Sequence, residues 1–231
     1  MRHIASNQIA LSCQIVLISL AWAAPATAPP DPRPTIEEFC KAQFDGEDTA
    51  AAGMITLSKA RQDQLRQSFQ AEHPGEPLPL ADMIGGNYPC QSVVVVGSYR
   101  VLGEASHGNT ATAQVEYVVY GAFKLGIDDH CATEFIANYS KAQRLTLRLR
   151  FSNGEDGLGG IRRTNWYVED PPTPRVSLEA LLTLCKTRQE RFRDIAQGLK
   201  DRGKPVPPNI AWGIATYGRK AQILSSLKAS P

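Results

Sequence analysis

Asp128-Asp129-His130-Cys131, with Glu134 close behind, is the densest group of chemistry-bearing side chains in this 231-residue chain. Carboxylates beside an imidazole can hold a divalent cation or pass protons. His130 and Glu134 stand four residues apart, the spacing that shares a helix face. Adjacent Asp128 and Asp129 cannot both reach one ion from regular structure, so the segment reads as a turn and a capped helix start. No metal and no cofactor is expected. Glu104-Ala105-Ser106-His107-Gly108-Asn109 gathers a carboxylate, a serine and a histidine. Neighbours in one turn cannot adopt triad geometry, which needs a base oriented by a buried acid. Gly157-Leu158-Gly159-Gly160 has the glycine content of a phosphate loop, but no helix follows to offer its N-terminal amides, and a hairpin tip is expected.

Glu116 and Tyr120 fall on one face of a strand-like run, Tyr117 and Val119 on the other. In an apolar pocket Glu116 would be an acid or base of raised pKa, with Tyr120 as a donor. Facing water, both would be ordinary surface residues. Arg144, Arg148 and Arg150 form a basic stripe, extended by Arg162 and Arg163, that can meet an anionic ligand or simply lie solvated. The stripe lacks the aromatic interleaving that stacks bases, which argues against nucleic acid. Asn138-Tyr139-Ser140 is a glycosylation sequon.

Of five cysteines, Cys13 lies in a segment that reads as an export leader. Arg2 and His3 are followed by the apolar run Ile9 to Ala24, and Ala21-Trp22-Ala23 fits the small-x-small cleavage rule. Residues 1–23 are thus predicted to be removed, leaving a periplasmic or secreted protein. The even set Cys40, Cys90, Cys131 and Cys185 predicts two disulfides, with three connectivities open. The spacings do not match a zinc pattern. Cys40 with Cys185 would tie the ends of the domain, and Cys90 with Cys131 would close the base of a hairpin.

These side chains need elements to position them. Residues 24–34 carry five prolines and read as an extended linker. Thr35, with Glu38 three residues on, predicts a helix start with a capping box. A second helix is expected from about Thr49 to Phe69. Val93 to Leu102 and Thr112 to Phe123 are strand-like, joined by a turn-rich connection from Gly103 to Asn109. Arg144 to Phe151 alternates apolar Leu145, Leu147, Leu149 and Phe151 with polar neighbours, the pattern of a half-buried strand. Ile161 to Val168 pairs back. Ser177 is predicted to cap a long helix ending near Gly203, and 204–231 reads as a basic, proline-containing tail with a helix from Tyr217 to Leu227. Residues 186–231 hold ten Lys and Arg against three Asp and Glu, a net +7 in a chain of net +2. Hydrophobic residues make up 42%, which excludes a disordered or collagen-like chain.

The order helix, helix, then paired strands, with the segment Phe39-Cys40-Lys41-Ala42-Gln43-Phe44-Asp45-Gly46-Glu47-Asp48 and the closing strand Thr164-Asn165-Trp166-Tyr167-Val168, resembles nuclear-transport-factor-2-like proteins over about residues 35–170. The resemblance implies an α+β fold: a curved antiparallel sheet wrapped on N-terminal helices into a cone, here followed by a long C-terminal helix, with residues 35–203 as the domain. Its members include isomerases, dehydratases, hydrolases and exported proteins of no known activity. The expected function is a non-catalytic module. Its partner is either a small apolar molecule in the cone or an anionic envelope component on the sheet and basic tail. A small isomerase-, dehydratase- or hydrolase-type enzyme with Glu116 as base is the alternative, and an oligomer seam in the helical tail is a third. The non-catalytic reading predicts that no two titratable side chains meet within hydrogen-bond reach deep in the cone.

Overall fold

The computed structural model describes residues 28–76, 88–125, 131–152 and 165–229. The predicted leader, Asp128, Asp129 and His130, the Gly157–Gly160 tip and Arg162 and Arg163 lie outside these residues.

Helix α1 spans Arg33–Phe44 and starts two residues before the expected Thr35 cap. Pro34 has no amide hydrogen to leave unpaired in the first turn, and the Arg33 amide donates to Asp31 Oδ1 at 3.0 Å. Thr35 is buried inside the helix. Ile36, Phe39, Cys40 and Gln43 recur at three- and four-residue spacing and form its buried face. The end of the proline-rich linker is pinned, because Trp166 Nε1 donates to Pro30 O at 2.6 Å.

The single helix expected over 49–69 is three elements: α2 (Asp48–Gly53), strand β1 (Ile55–Thr56) and α3 (Lys59–Glu72). Gly53 weakens the helix, and the β-branched pair after Met54 adds a strand beside residues 168–169. Ser58 caps α3 by accepting from the Arg61 amide at 3.2 Å.

The sheet comprises β1, β2 (Val93–His107), β3 (Thr110–Lys124), β4 (Glu134–Ser152), β5 (Asn165–Glu169) and β6 (Arg175–Ser177), in the order β1-β5-β4-β3-β2-β6. Its three central pairings are antiparallel, and a short outer strand adds in parallel at each edge. The connection expected over 103–109 is mostly strand. β2 runs to His107 and turns through Gly108, whose φ of +55° suits glycine. Glu134, expected near a helix start, opens β4 instead. Register shifts at Val95/Val96, Val96/Ser98 and Val101/Gly103 in β2, and at Val119/Gly121 in β3, bend the sheet into a strongly curled half-barrel. At Gly121 an added Cβ would collide with the Phe135 ring and the Ile136 carbonyl, so the bend requires glycine there.

The concave face holds Ala111, Ala113, Val115, Tyr117 and Val119 of β3 against Leu147 and Leu149 of β4, all buried. Phe39 and Ile36 of α1, Trp166 of β5 and Val176 of β6 complete this core. Helix α4 (Leu178–Lys200) is capped as expected by Ser177, which accepts from the Ala180 amide at 3.1 Å. Helix α5 (Pro208–Ala229) begins nine residues before the expected start at Tyr217. It is part of the packed body: Tyr217, Lys220, Ala221, Leu224 and Leu227 are buried.

Candidate functional site

The alternation of β3 decides the fate of Glu116. Odd positions fill the concave face and even positions turn outward. Glu116 sits between Arg100 of β2 and Arg144 of β4, its direct partners in register. Arg100 Nη2 donates to its Oε1 at 2.8 Å and Arg144 Nε to its Oε2 at 3.0 Å. Arg144 and then Arg100 hold this carboxyl below the ordinary carboxylate range. Glu116 is therefore no raised-pKa base in a cone. Tyr120 shares the outer face, half-buried, with its ring over Gly97, where a Cβ would come within 2.9 Å.

Arg148 and Arg150 face outward beside Arg144, as the alternation predicts. Arg150 Nη1 lies 3.8 Å from Glu169 Oε1. Arg148 makes no ion pair among the described residues and lines a cleft of about 290 Å³ with Ser106, His107, Thr110, Thr112 and Glu169. A second, shallow cleft of about 550 Å³ runs between α1 and β2, lined by Arg33, Glu37, Lys41, Tyr99 and Arg100 among others. Its cations are already engaged: Arg33 by Glu37 and Glu104, Lys41 by Asp45 and Arg100 by Glu116.

Deep in the concave face two titratable side chains do meet. Cys40 Sγ of α1 lies 3.6 Å from the Tyr117 hydroxyl of β3. The expectation that the cone holds no such pair is not met. Burial pushes the Cys40 thiol up to about 11, against a smaller opposing effect of the Tyr117 hydrogen bond, and burial also pushes the Tyr117 phenol up. Near neutral pH both groups stay protonated. They form a link between neutral groups, closed from solvent at 1% and 2% exposure. Arg175 of β6 lies over the Tyr117 ring, 5.1 Å from its centroid. Its Nη1 donates to Thr173 O at 2.8 Å, its Nε has no hydrogen-bond partner among the described residues, and burial lowers its pKa.

Only one of the two expected disulfides forms. Cys90 and Cys131 are bonded. Cys40 and Cys185 are buried free thiols. The pairing fails because the fold gives the two cysteines different neighbours: Cys40 faces Tyr117 and Arg175, whereas Cys185 of α4 faces Lys220 of α5. Burial pushes the Cys185 thiol up to about 11. Lys220 is fully buried, donates to Pro89 O at 2.8 Å, and sits 4.4 Å from the Phe123 ring centroid. Burial pulls its pKa down to about 8.

Sequence reading missed Arg175 and Lys220. Each interrupts an apolar pattern. Arg175 precedes Val176 in a short strand, and Lys220 occupies a core position of the stripe Tyr217, Lys220, Leu224, Leu227. A charge at a core position is the signal that was available. Among the described residues no three His, Cys, Asp or Glu side chains gather as a metal site. None of the described helices is long and apolar enough to cross a membrane.

No family model matches the chain, and no curated protein does. A solved structure from Campylobacter jejuni described as an NTF2-like transpeptidase matches at 13% identity over 62% of this chain and 100% of that one, with a TM-score of 0.30. The curled antiparallel sheet closed by α1 is itself the α+β architecture implied by the nuclear-transport-factor-2-like resemblance. A scaffold that hosts many activities assigns no residue role.

Proposed function

We propose that the protein is an exported, non-catalytic interaction module that holds an anionic component of the cell envelope on its outer sheet face and basic helices. The observation that carries this reading is the placement of Glu116. The best acid–base candidate is clamped by two arginines on the outer face, with its carboxyl ionised across the neutral range. The concave face is filled by Phe39, Tyr117, Leu147 and Trp166, which leaves the apolar-ligand reading without support. Arg148, without an ion pair among the described residues, stands in an open cleft where an anion can approach.

Salt-dependent retention on an immobilised polyanion tests the reading. The Arg144→Gln/Arg148→Gln variant should elute at clearly lower salt than the wild type. Equal elution would remove the sheet face from the binding surface. The enzyme alternative keeps one supporting observation, the Cys40–Tyr117 contact. It requires Cys40 to react with a thiol reagent in the folded protein at neutral pH. Protection until unfolding is expected here, because a buried thiol of raised pKa is a poor nucleophile.

A further inference from the structure

We propose that one flank of the α4–α5 hairpin docks on an anionic lipid surface. The inference rests on the interaction-module reading for the sign of the partner's charge and adds its chemistry. The two helices meet along a defined seam. Phe192 stacks on Tyr217 with ring centroids 5.8 Å apart. Gln189 Nε2 donates to Ile214 O at 3.1 Å. A Cβ at Gly213 would lie 2.9 Å from the Phe192 ring. The seam therefore passes through Cys185, Gln189, Phe192 and Ala196 on α4, and through Gly213, Tyr217, Lys220 and Leu224 on α5.

One residue before each seam position, about 100° round the helix, runs a second stripe. On α4 it holds Leu184, Arg188, Arg191 and Ile195, and on α5 Trp212, Thr216, Arg219 and Ile223; Thr216 is buried and Leu184 and Ile223 pack against the core, which leaves Arg188, Arg191, Ile195, Trp212 and Arg219 as its outward part. Equal offsets on two antiparallel helices fall on the same side of the pair, so the stripes form one face. Ile195 and Trp212 are 41% and 42% exposed, though both are large and apolar. Arg188, Arg191 and Arg219 make no ion pair among the described residues. The stripes contain no Asp or Glu, and Glu190 and Asp194 fall behind them on α4.

Unpaired arginines alone would suit any polyanion. The exposed tryptophan and isoleucine between them select a lipid boundary, where apolar surface is withdrawn from water while guanidinium groups meet phosphate. An indole is amphipathic and settles at headgroup level. The hairpin would lie flat in the interface, since neither helix has the apolar length to cross it.

The test uses the full chain with Trp22→Phe, so that emission comes from the buried Trp166 and from Trp212 alone. It reads the position of Trp212 emission rather than total binding, so tethering through the leader does not produce the signal. Equimolar phosphatidylcholine–phosphatidylglycerol vesicles should shift the emission to the blue, and phosphatidylcholine alone should not. Arg191→Gln/Arg219→Gln should raise the lipid concentration at half-shift about twenty-five-fold, because each basic residue near an anionic surface is worth about 1 kcal/mol, or about fivefold. No shift, an equal shift on neutral vesicles, or a shift unchanged in the double variant overturns the proposal. An equal shift with soluble polyphosphate overturns the lipid assignment and leaves the anionic-partner reading standing. Thermal melts of each variant confirm that the fold is intact.

Discussion

Lys220 carries its charge into the core with one backbone carbonyl as acceptor. Burial favours the neutral amine, so the folded group releases its proton near pH 8 while the unfolded chain holds it to about 10.4. Lys220 therefore destabilises the fold in full below pH 8, and the penalty fades as pH rises toward the unfolded value. Lys220→Met keeps the length without the charge. At pH 7 it should stabilise the protein by on the order of 2 kcal/mol, the buried-charge penalty less about 1 kcal/mol for the bond Pro89 loses. That gap should close and reverse by pH 10.5. The measurement is denaturant unfolding of variant and wild type at both pH values. The raised thiols of Cys40 and Cys185 act in the opposite sense over the same range, so the difference between the proteins is the readout. Glu116 stabilises where Lys220 destabilises, although stability again rises with pH. Its folded pKa is depressed, so its stabilisation is present above the unfolded carboxylate value of about 4.3 and is lost as pH falls through the folded value. Glu116→Gln should lower the melting temperature at pH 7, and the difference from wild type should shrink as pH falls below the unfolded carboxylate value. A variant more stable than wild type at pH 7 would show a buried acid after all.

At the scale of elements, the Cys90–Cys131 bond joins the segment entering β2 to the segment entering β4 across 41 residues. It closes the base of the β2–β3 hairpin, as the sequence predicts. Restricting an unfolded loop of that length is worth about 4 kcal/mol. Cys90→Ser/Cys131→Ser should therefore lose about 2–4 kcal/mol in denaturant unfolding, and non-reducing mass mapping should find this bond and free thiols at Cys40 and Cys185. A second bond between Cys40 and Cys185 would contradict the packing around Tyr117 and Lys220. Helix α5 illustrates the same dependence on neighbours. Its Leu224 is fully buried, and replacing it with alanine should cost about 3 kcal/mol, read from the same unfolding curves.

Over the whole molecule, two faces share one body. The concave face of the sheet is sealed by α1 and filled with aromatic and aliphatic side chains. The outer face and the α4–α5 hairpin present arginines to solvent. Charge follows the same division, with a net +7 gathered in residues 186–231. Export with cleavage after Ala23 predicts Ala24 as the first residue of the mature chain, which N-terminal sequencing of protein from outside the cytoplasm checks; a chain still beginning at Met1 would refute it.

Periodicity alone determined the strand faces, because alternation fixes which side chains share a side before any partner is known. Leu145, Leu147 and Leu149 pointed inward, and Arg144, Arg148 and Arg150 outward, as their pattern dictated. The Ser177 cap was legible for a similar local reason, whereas the cysteine count left three pairings open and only the fold selected Cys90–Cys131. The division of 49–69 into three elements was not legible, since β1 exists only through pairing with β5. Nor could the chain reveal whether Glu116 faced a pocket or two arginines, or that Arg175 and Lys220 would be buried. Those outcomes depend on which surfaces α1 and α5 cover, and coverage is a property of packing between segments far apart in sequence.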